Sequence, residues 1–74
     1  MNVNLKYIKE RREKMDITLI EMSELLGFKN ASTYLKYENG DYLFKANMLP
    51  LLSKKLNCNI EDFFCNPDFE NRNL

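Results

Sequence analysis

Residues 17–40 read ITLIEMSELLGFKNASTYLKYENG and constrain the fold more than any other stretch. They contain two short amphipathic patterns, at about 18–26 and 30–39, and a glycine follows each pattern. Glycine tolerates the positive φ at which helices commonly end. Gly27 and Gly40 therefore predict the ends of two short helices.

The starts of the two helices are also marked. Thr18 followed by Glu21 fits a capping box, in which each side chain bonds the other residue's free backbone amide. Asn30 is a favourable N-cap for the next helix. Two short helices joined by a glycine-containing turn are typical of a helix-turn-helix, a unit that binds DNA.

The chain before this unit predicts a further amphipathic helix at about 3–15. Leu5, Ile8, Arg12 and Met15 fall on one face of it. Arg12 interrupts an apolar stripe, and a buried guanidinium needs a carboxylate partner. We therefore expect an acidic residue from elsewhere to fold onto Arg12. The other face is charged and expected to be solvated: Lys6, Lys9, Glu10, Arg11, Glu13 and Lys14.

The chain after the unit predicts two more helices, at about 46–56 and 60–64. Pro50 lacks a backbone N–H and disfavours helix in the residue before it. The fourth helix must therefore start near Pro50 or have a distorted first turn. The apolar residues of these helices are Leu49, Leu52, Leu56, Ile60, Phe63 and Phe64. The fold class expected is all-α, a compact five-helix domain.

Length and composition set the domain organisation. The chain has 74 residues, of which 45% are hydrophobic, so it can bury one small core. We assign residues 1–66 to a single helix-turn-helix domain and 67–74 to a polar C-terminal tail, in which Phe69 is a candidate for docking. A core of this size leaves only about 3–5 kcal/mol of stability, which favours support from a second subunit.

Several classes of function are not expected. The chain has no histidine, and no nucleophile–base or metal-binding constellation is present, so we expect neither an enzyme nor a metal or cofactor site. No apolar run is long enough for a signal peptide or a membrane span, which predicts a cytoplasmic protein without membrane association. In that compartment the Cys58 and Cys65 thiols are expected to be reduced. A Cys58–Cys65 redox switch is the alternative.

The chain resembles the Xre-type family of helix-turn-helix domains, which includes phage repressors and Cro, over about residues 3–64. That resemblance implies a transcriptional regulator of a phage or another mobile element. It also implies a homodimer on a two-fold operator in double-stranded DNA, with the third helix in the major groove. An effector domain does not fit in 74 residues, so no small-molecule ligand is expected. The residues that carry the resemblance are Ile17-Thr18, Glu21-Met22-Ser23, Leu26-Gly27, Ser32-Thr33-Tyr34, Lys36-Tyr37-Glu38-Asn39-Gly40, Leu49, Leu52, Leu56 and Ile60-Glu61-Asp62-Phe63-Phe64.

The resemblance also implies a set of site residues. Family members often pair an arginine of the first helix with a glutamate near the end of the third, which here are Arg12 and Glu38. Asn30 and Asn39 match positions that hold phosphates, and Lys29 in the turn is a further candidate for DNA contact. The positions that match base contacts are Ala31, Ser32, Thr33 and Lys36. Ser32 and Thr33 can alternatively be helix-start residues without a base partner, and Lys36 a solvated lysine.

The chain departs from the family pattern in three places. Leu19 stands where a glutamine commonly touches the DNA backbone, Ala31 replaces a long polar side chain, and the turn after Gly27 is longer than usual. The net charge is zero, with 11 basic and 11 acidic side chains, whereas DNA-binding domains are commonly basic. A second hypothesis is therefore a protein-interaction module that kept the fold without operator binding. Its candidate contacts are Ile20, Leu25 and Leu35.

Overall fold

The structure, a computed structural model, describes residues 3–64. Cys65, Phe69 and the tail predicted at 67–74 lie outside this range. The described part is all-α, as predicted, and has no strand. Its elements are the α-helices α1 (Leu5–Lys14), α2 (Leu19–Leu26), α3 (Ala31–Asn39) and α4 (Leu49–Lys55), with 3₁₀ helices at Ala46–Met48 and Ile60–Phe64.

The predicted helix ends are confirmed. Thr18 and Glu21 form a complete capping box at the start of α2. Asn30 caps α3 through its side chain, which accepts a hydrogen bond from the Thr33 amide. Gly27 (φ 80°) and Gly40 (φ 92°) end α2 and α3 in the left-handed conformation.

The fourth and fifth helices differ from ideal α-helices. The segment before Pro50 is a single 3₁₀ turn, and α4 begins at Leu49 with Pro50 in its first turn, where no amide donor is needed. The predicted fifth helix is a 3₁₀ helix, Ile60–Phe64, rather than an α-helix. Five residues are too few for several α-helical hydrogen bonds, and the tighter 3₁₀ turn suits such short segments.

One core joins all four α-helices to the C-terminal 3₁₀ helix. Its buried hydrophobic residues are Ile8, Ile17, Met22, Tyr34, Leu49, Leu52, Leu56 and Phe63. The last described residues are held against the first, because the Asn4 amide donates to the Phe63 carbonyl over 2.6 Å. None of the helices between residues 3 and 64 combines the length and apolarity that a bilayer span requires.

Arg11 has a structural role that the helical pattern did not predict. Its Nε donates to the Leu56 carbonyl over 2.8 Å, and its guanidinium donates to the Asn57 carbonyl over 3.0 Å. These carbonyls belong to the C-terminal end of α4, where backbone acceptors lack helical partners. Arg11 therefore caps α4 from α1, whereas we expected it to lie on a solvated face.

Candidate nucleic-acid interface

The turn between α2 and α3 is held by contacts on both sides. The Phe28 amide donates to the Ser23 carbonyl over 2.8 Å, as a chain leaving a helix through a left-handed glycine commonly does. The Phe28 ring stacks on Tyr37 of α3, with centroids 4.9 Å apart and planes 12° apart. The angle between the two helices is therefore set by packing as well as by the turn.

The two sides of α3 have different environments. Tyr34 and Glu38 are buried against the rest of the domain, whereas Tyr37 is half-buried. The opposite side carries the exposed residues Ser32, Leu35, Lys36 and Asn39, while Ala31 and Thr33 at the helix start are half-buried. Lys29 and Asn30, in the approach to the helix, are exposed. The predicted DNA-contact residues therefore lie along one helix and its entrance, over about 13 Å of helix axis.

Asn30 organises the start of α3. Its Oδ1 accepts from the Thr33 amide over 3.0 Å, from the Ser32 hydroxyl over 2.7 Å and from the Thr33 hydroxyl over 3.0 Å. Both hydroxyls thus act as helix-start donors in the unbound chain, and their oxygens can still accept a hydrogen bond. Within residues 3–64 the Asn30 side-chain NH₂ donates to no partner, so it can donate to an anion at the helix start.

Replacing Asn30 separates its capping role from a role in DNA binding. Asn30→Ala removes the shared acceptor and should lower the free energy of unfolding by about 1–2 kcal/mol. Asn30→Asp keeps an acceptor oxygen and should retain near-wild-type stability, yet it places a negative charge where a phosphate is expected. Urea unfolding followed by circular dichroism measures the free energy of unfolding. Equal stabilities of Asn30→Ala and Asn30→Asp would contradict the capping role.

Arg12 and Glu38 form the ion pair that fixes the inner side of α3. Arg12 Nε donates to Glu38 Oε2 over 2.9 Å and Arg12 Nη2 donates to Glu38 Oε1 over 3.0 Å, while Arg12 Nη1 donates to the Ile17 carbonyl over 3.0 Å. Their side chains are 11% and 1% exposed. The pair therefore connects α1 and α3 to the turn before α2, and Arg12 neutralises the Glu38 carboxylate near the end of α3.

The pair also shapes its surroundings. The hydrogen bond to Glu38 raises the pKa of Arg12 despite partial burial, so the guanidinium stays charged. Burial, and then the neighbouring Glu38 carboxylate, raises the pKa of Tyr34. The Tyr34 hydroxyl is buried and makes no hydrogen bond of good geometry within residues 3–64. It therefore remains a neutral phenol beside the ion pair.

The exposed charges around α3 are mostly positive, although the net charge of the chain is zero. Between residues 29 and 45 the exposed charged side chains are Lys29, Lys36, Lys45 and Asp41, since Glu38 is buried with Arg12. No carboxylate of the described part lies within 4.0 Å of these lysines. By contrast, α2 carries Glu21 and Glu24 and no basic residue. The α3 segment therefore presents a local positive surface that the total of zero conceals.

Tyr42 is a neighbour of the site that the sequence did not indicate. Its ring lies beside Lys36, with the lysine Nζ 5.6 Å from the ring centroid. The sequence could have indicated this contact, because an aromatic residue soon after the glycine that ends a helix can fold back onto the last turn of that helix.

A family model described as helix-turn-helix matches residues 8–63, a span that runs from α1 into the C-terminal 3₁₀ helix. No curated protein and no solved structure matches the chain. The matched span covers most of the sequence and includes every element that positions α3. The chain belongs to the Xre-like helix-turn-helix family of DNA-binding regulators.

Proposed function

We propose that this protein is a sequence-specific transcriptional regulator that inserts α3 into the major groove of its operator. The observation that carries the proposal is the exposed polar side of α3, with Ser32, Lys36 and Asn39, opposite a side locked into the core by Tyr34 and Glu38. A major groove admits one α-helix whose outward side chains reach base edges. A rigidly held helix offers those side chains without ordering the backbone on binding.

The contacts divide by chemistry. Lys29 and the free side-chain NH₂ of Asn30 lie at the entrance to α3, where they and the helix N-terminal amides suit a phosphate. Asn39, at the other end of the helix, has the same hydrogen-bonding groups for a second phosphate. Lys36 and the hydroxyl oxygens of Ser32 and Thr33 are the candidates for base edges, with Ala31 offering only a methyl group.

A homodimer on a two-fold operator is part of the proposal. Because α3 has only nine residues, one copy reaches few base pairs. Two copies related by a two-fold axis would read half-sites about one helical turn apart. Such a dimer would regulate by occupying DNA that the polymerase needs, as a repressor of the phage or Cro type does.

Lys36→Ala tests the interface. Duplexes enriched by the wild-type protein from a randomised pool should bind the variant with affinity lower by about 1–3 kcal/mol, or roughly 5- to 150-fold. Lys9→Ala, at an exposed position of α1 outside residues 29–45, is the matched control and should bind nearly as wild type. Fluorescence anisotropy gives the affinities, and thermal melting should show both variants to be folded. Equal affinities of Lys36→Ala and wild type would remove Lys36 from the interface.

The second candidate is a protein-interaction module, and exposed apolar side chains favour it. Ile20 is 61% and Leu43 86% exposed. Leu35 is exposed as well. Leu25 is half-buried and Leu19 packs against the core, so these two offer less apolar surface to a partner. A wild-type protein that enriches no duplex from the pool would favour this candidate.

A further inference from the structure

The chain reverses direction directly after α3. Gly40 adopts φ 92°, and the amides of Asp41 and Tyr42 both donate to the Lys36 carbonyl, over 2.8 and 3.3 Å. This reversal folds residue 42 back onto the last turn of α3. As a result, Lys36 and Tyr42 are joined by a backbone hydrogen bond and also by their side chains, with Nζ 5.6 Å from the ring centroid.

The Tyr42 ring is held in place by a second aromatic residue. It meets Tyr37 edge-to-face, with centroids 5.4 Å apart and planes 71° apart. Tyr37 in turn stacks on Phe28 in the turn before α3. Tyr42 is nevertheless 47% exposed, so its ring is fixed on one side and free on the other. An aromatic column from Phe28 through Tyr37 to Tyr42 therefore ends beside the exposed ammonium of Lys36.

We propose that Tyr42 is a positioning residue for Lys36: its ring holds the ammonium in place before DNA arrives. Lysine carries its charge on a flexible four-carbon stem, and ordering such a side chain at an interface costs entropy. A cation attracted to an aromatic face loses part of that freedom in the unbound protein. The effect on affinity rests on the proposed function, whereas the contact itself exists without DNA.

The contact can be measured in the free protein by NMR. A ring current from Tyr42 should shift the ε-methylene protons of Lys36 upfield relative to those of Lys45. The shift should persist in Tyr42→Phe, which keeps a ring, and disappear in Tyr42→Leu. Lys36 protons that do not respond to Tyr42→Leu would overturn the proposal.

A double-mutant cycle on the enriched duplex tests the consequence for binding. Tyr42→Leu should weaken binding about two- to five-fold, the range expected for an exposed cation–π contact, and Tyr42→Phe should bind nearly as wild type. In the Lys36→Met background, Tyr42→Leu should have no further effect. An equal loss in that background would show that Tyr42 acts independently of Lys36. An equal loss with Tyr42→Phe would show that the hydroxyl and not the ring contributes to binding. Either result would overturn the proposal.

The two proposals fail in different ways. A protein that shows the ring-current shift but enriches no duplex would overturn the proposed function and leave the contact supported. A protein that binds its duplex but shows no coupling in the cycle would overturn only the positioning role. Melting temperatures of the Tyr42 variants, measured alongside, exclude loss of folding as the cause of weaker binding.

Discussion

Glu38→Ala should lower the free energy of unfolding by about 3–5 kcal/mol. The variant leaves the Arg12 guanidinium, whose side chain is only 11% exposed, without the carboxylate that accepts two of its hydrogen bonds. The remaining contacts are the Ile17 carbonyl, which is neutral, and Glu13, whose Oε2 lies 4.0 Å from Arg12 Nη2. The Glu13 side chain is 56% exposed, so solvent screens most of its charge and it compensates Arg12 only weakly. An unpaired charge in such a site costs more than the net contribution of the intact pair, because desolvation is no longer compensated. A domain of this size has about 3–5 kcal/mol of stability in total, so much of the variant should be unfolded at room temperature.

Two controls distinguish the cost of an unpaired buried Arg12 charge from the loss of the Glu38 side chain as such. The double variant Arg12→Met with Glu38→Met removes both charges and should regain most of the lost stability, since well-packed apolar side chains often replace buried ion pairs at little cost. Glu24→Ala alters an exposed glutamate of α2 and should change stability by no more than about 0.5 kcal/mol. Urea unfolding of the four proteins gives the comparison. A Glu38→Ala variant that unfolds at nearly the wild-type urea concentration would contradict a buried pair.

The local chemistry of the sequence predicted much of the fold. The capping box at Thr18, the N-cap at Asn30 and the glycines that end α2 and α3 are each decided by a few adjacent residues. Arg12 gave longer-range information, because a charge inside an apolar stripe requires a partner, and the structure pairs it with Glu38. Signals of this kind depend on local hydrogen bonds or on the cost of burying a charge, and both can be read without coordinates.

Other features depend on contacts between distant parts of the chain. Arg11 looks like its solvated neighbours on α1 until α4 ends beside it, so its bonds to the Leu56 and Asn57 carbonyls had no local signal. The place of Tyr42 beside Lys36 likewise follows from the reversal at Gly40 and the packing of Tyr37. Within the candidate site, the sequence indicated which side of α3 faces outward. The bonds that engage Ser32 and Thr33 required coordinates.

DNA affinity should fall by about 10³-fold when salt is raised from roughly 50 to 200 mM. Each copy exposes Lys29 before α3, Lys36 on it and Lys45 after it. Lys45 directly follows Phe44, whose ring packs against Tyr34 and Tyr37 of α3. A dimer would therefore bring about six lysines to the phosphates, and the slope of log affinity against log salt is about −0.9 per neutralised phosphate. A slope near −5 follows, which corresponds to that loss over a fourfold change in salt. Anisotropy titrations on the enriched duplex measure it.

Removing one lysine per copy tests how many phosphate contacts each copy contributes to the salt slope. Lys45→Ala should reduce the slope by about two in a dimer and by about one in a monomer, since each lost phosphate contact contributes close to one. The same titration thus reports how many copies bind. Lys9→Ala should leave the slope unchanged. A wild-type slope near zero would mean that the lysines around α3 release no counterions from DNA. The exposed Ile20 and Leu43 would then favour the protein-interaction module, because apolar association depends little on salt at these concentrations.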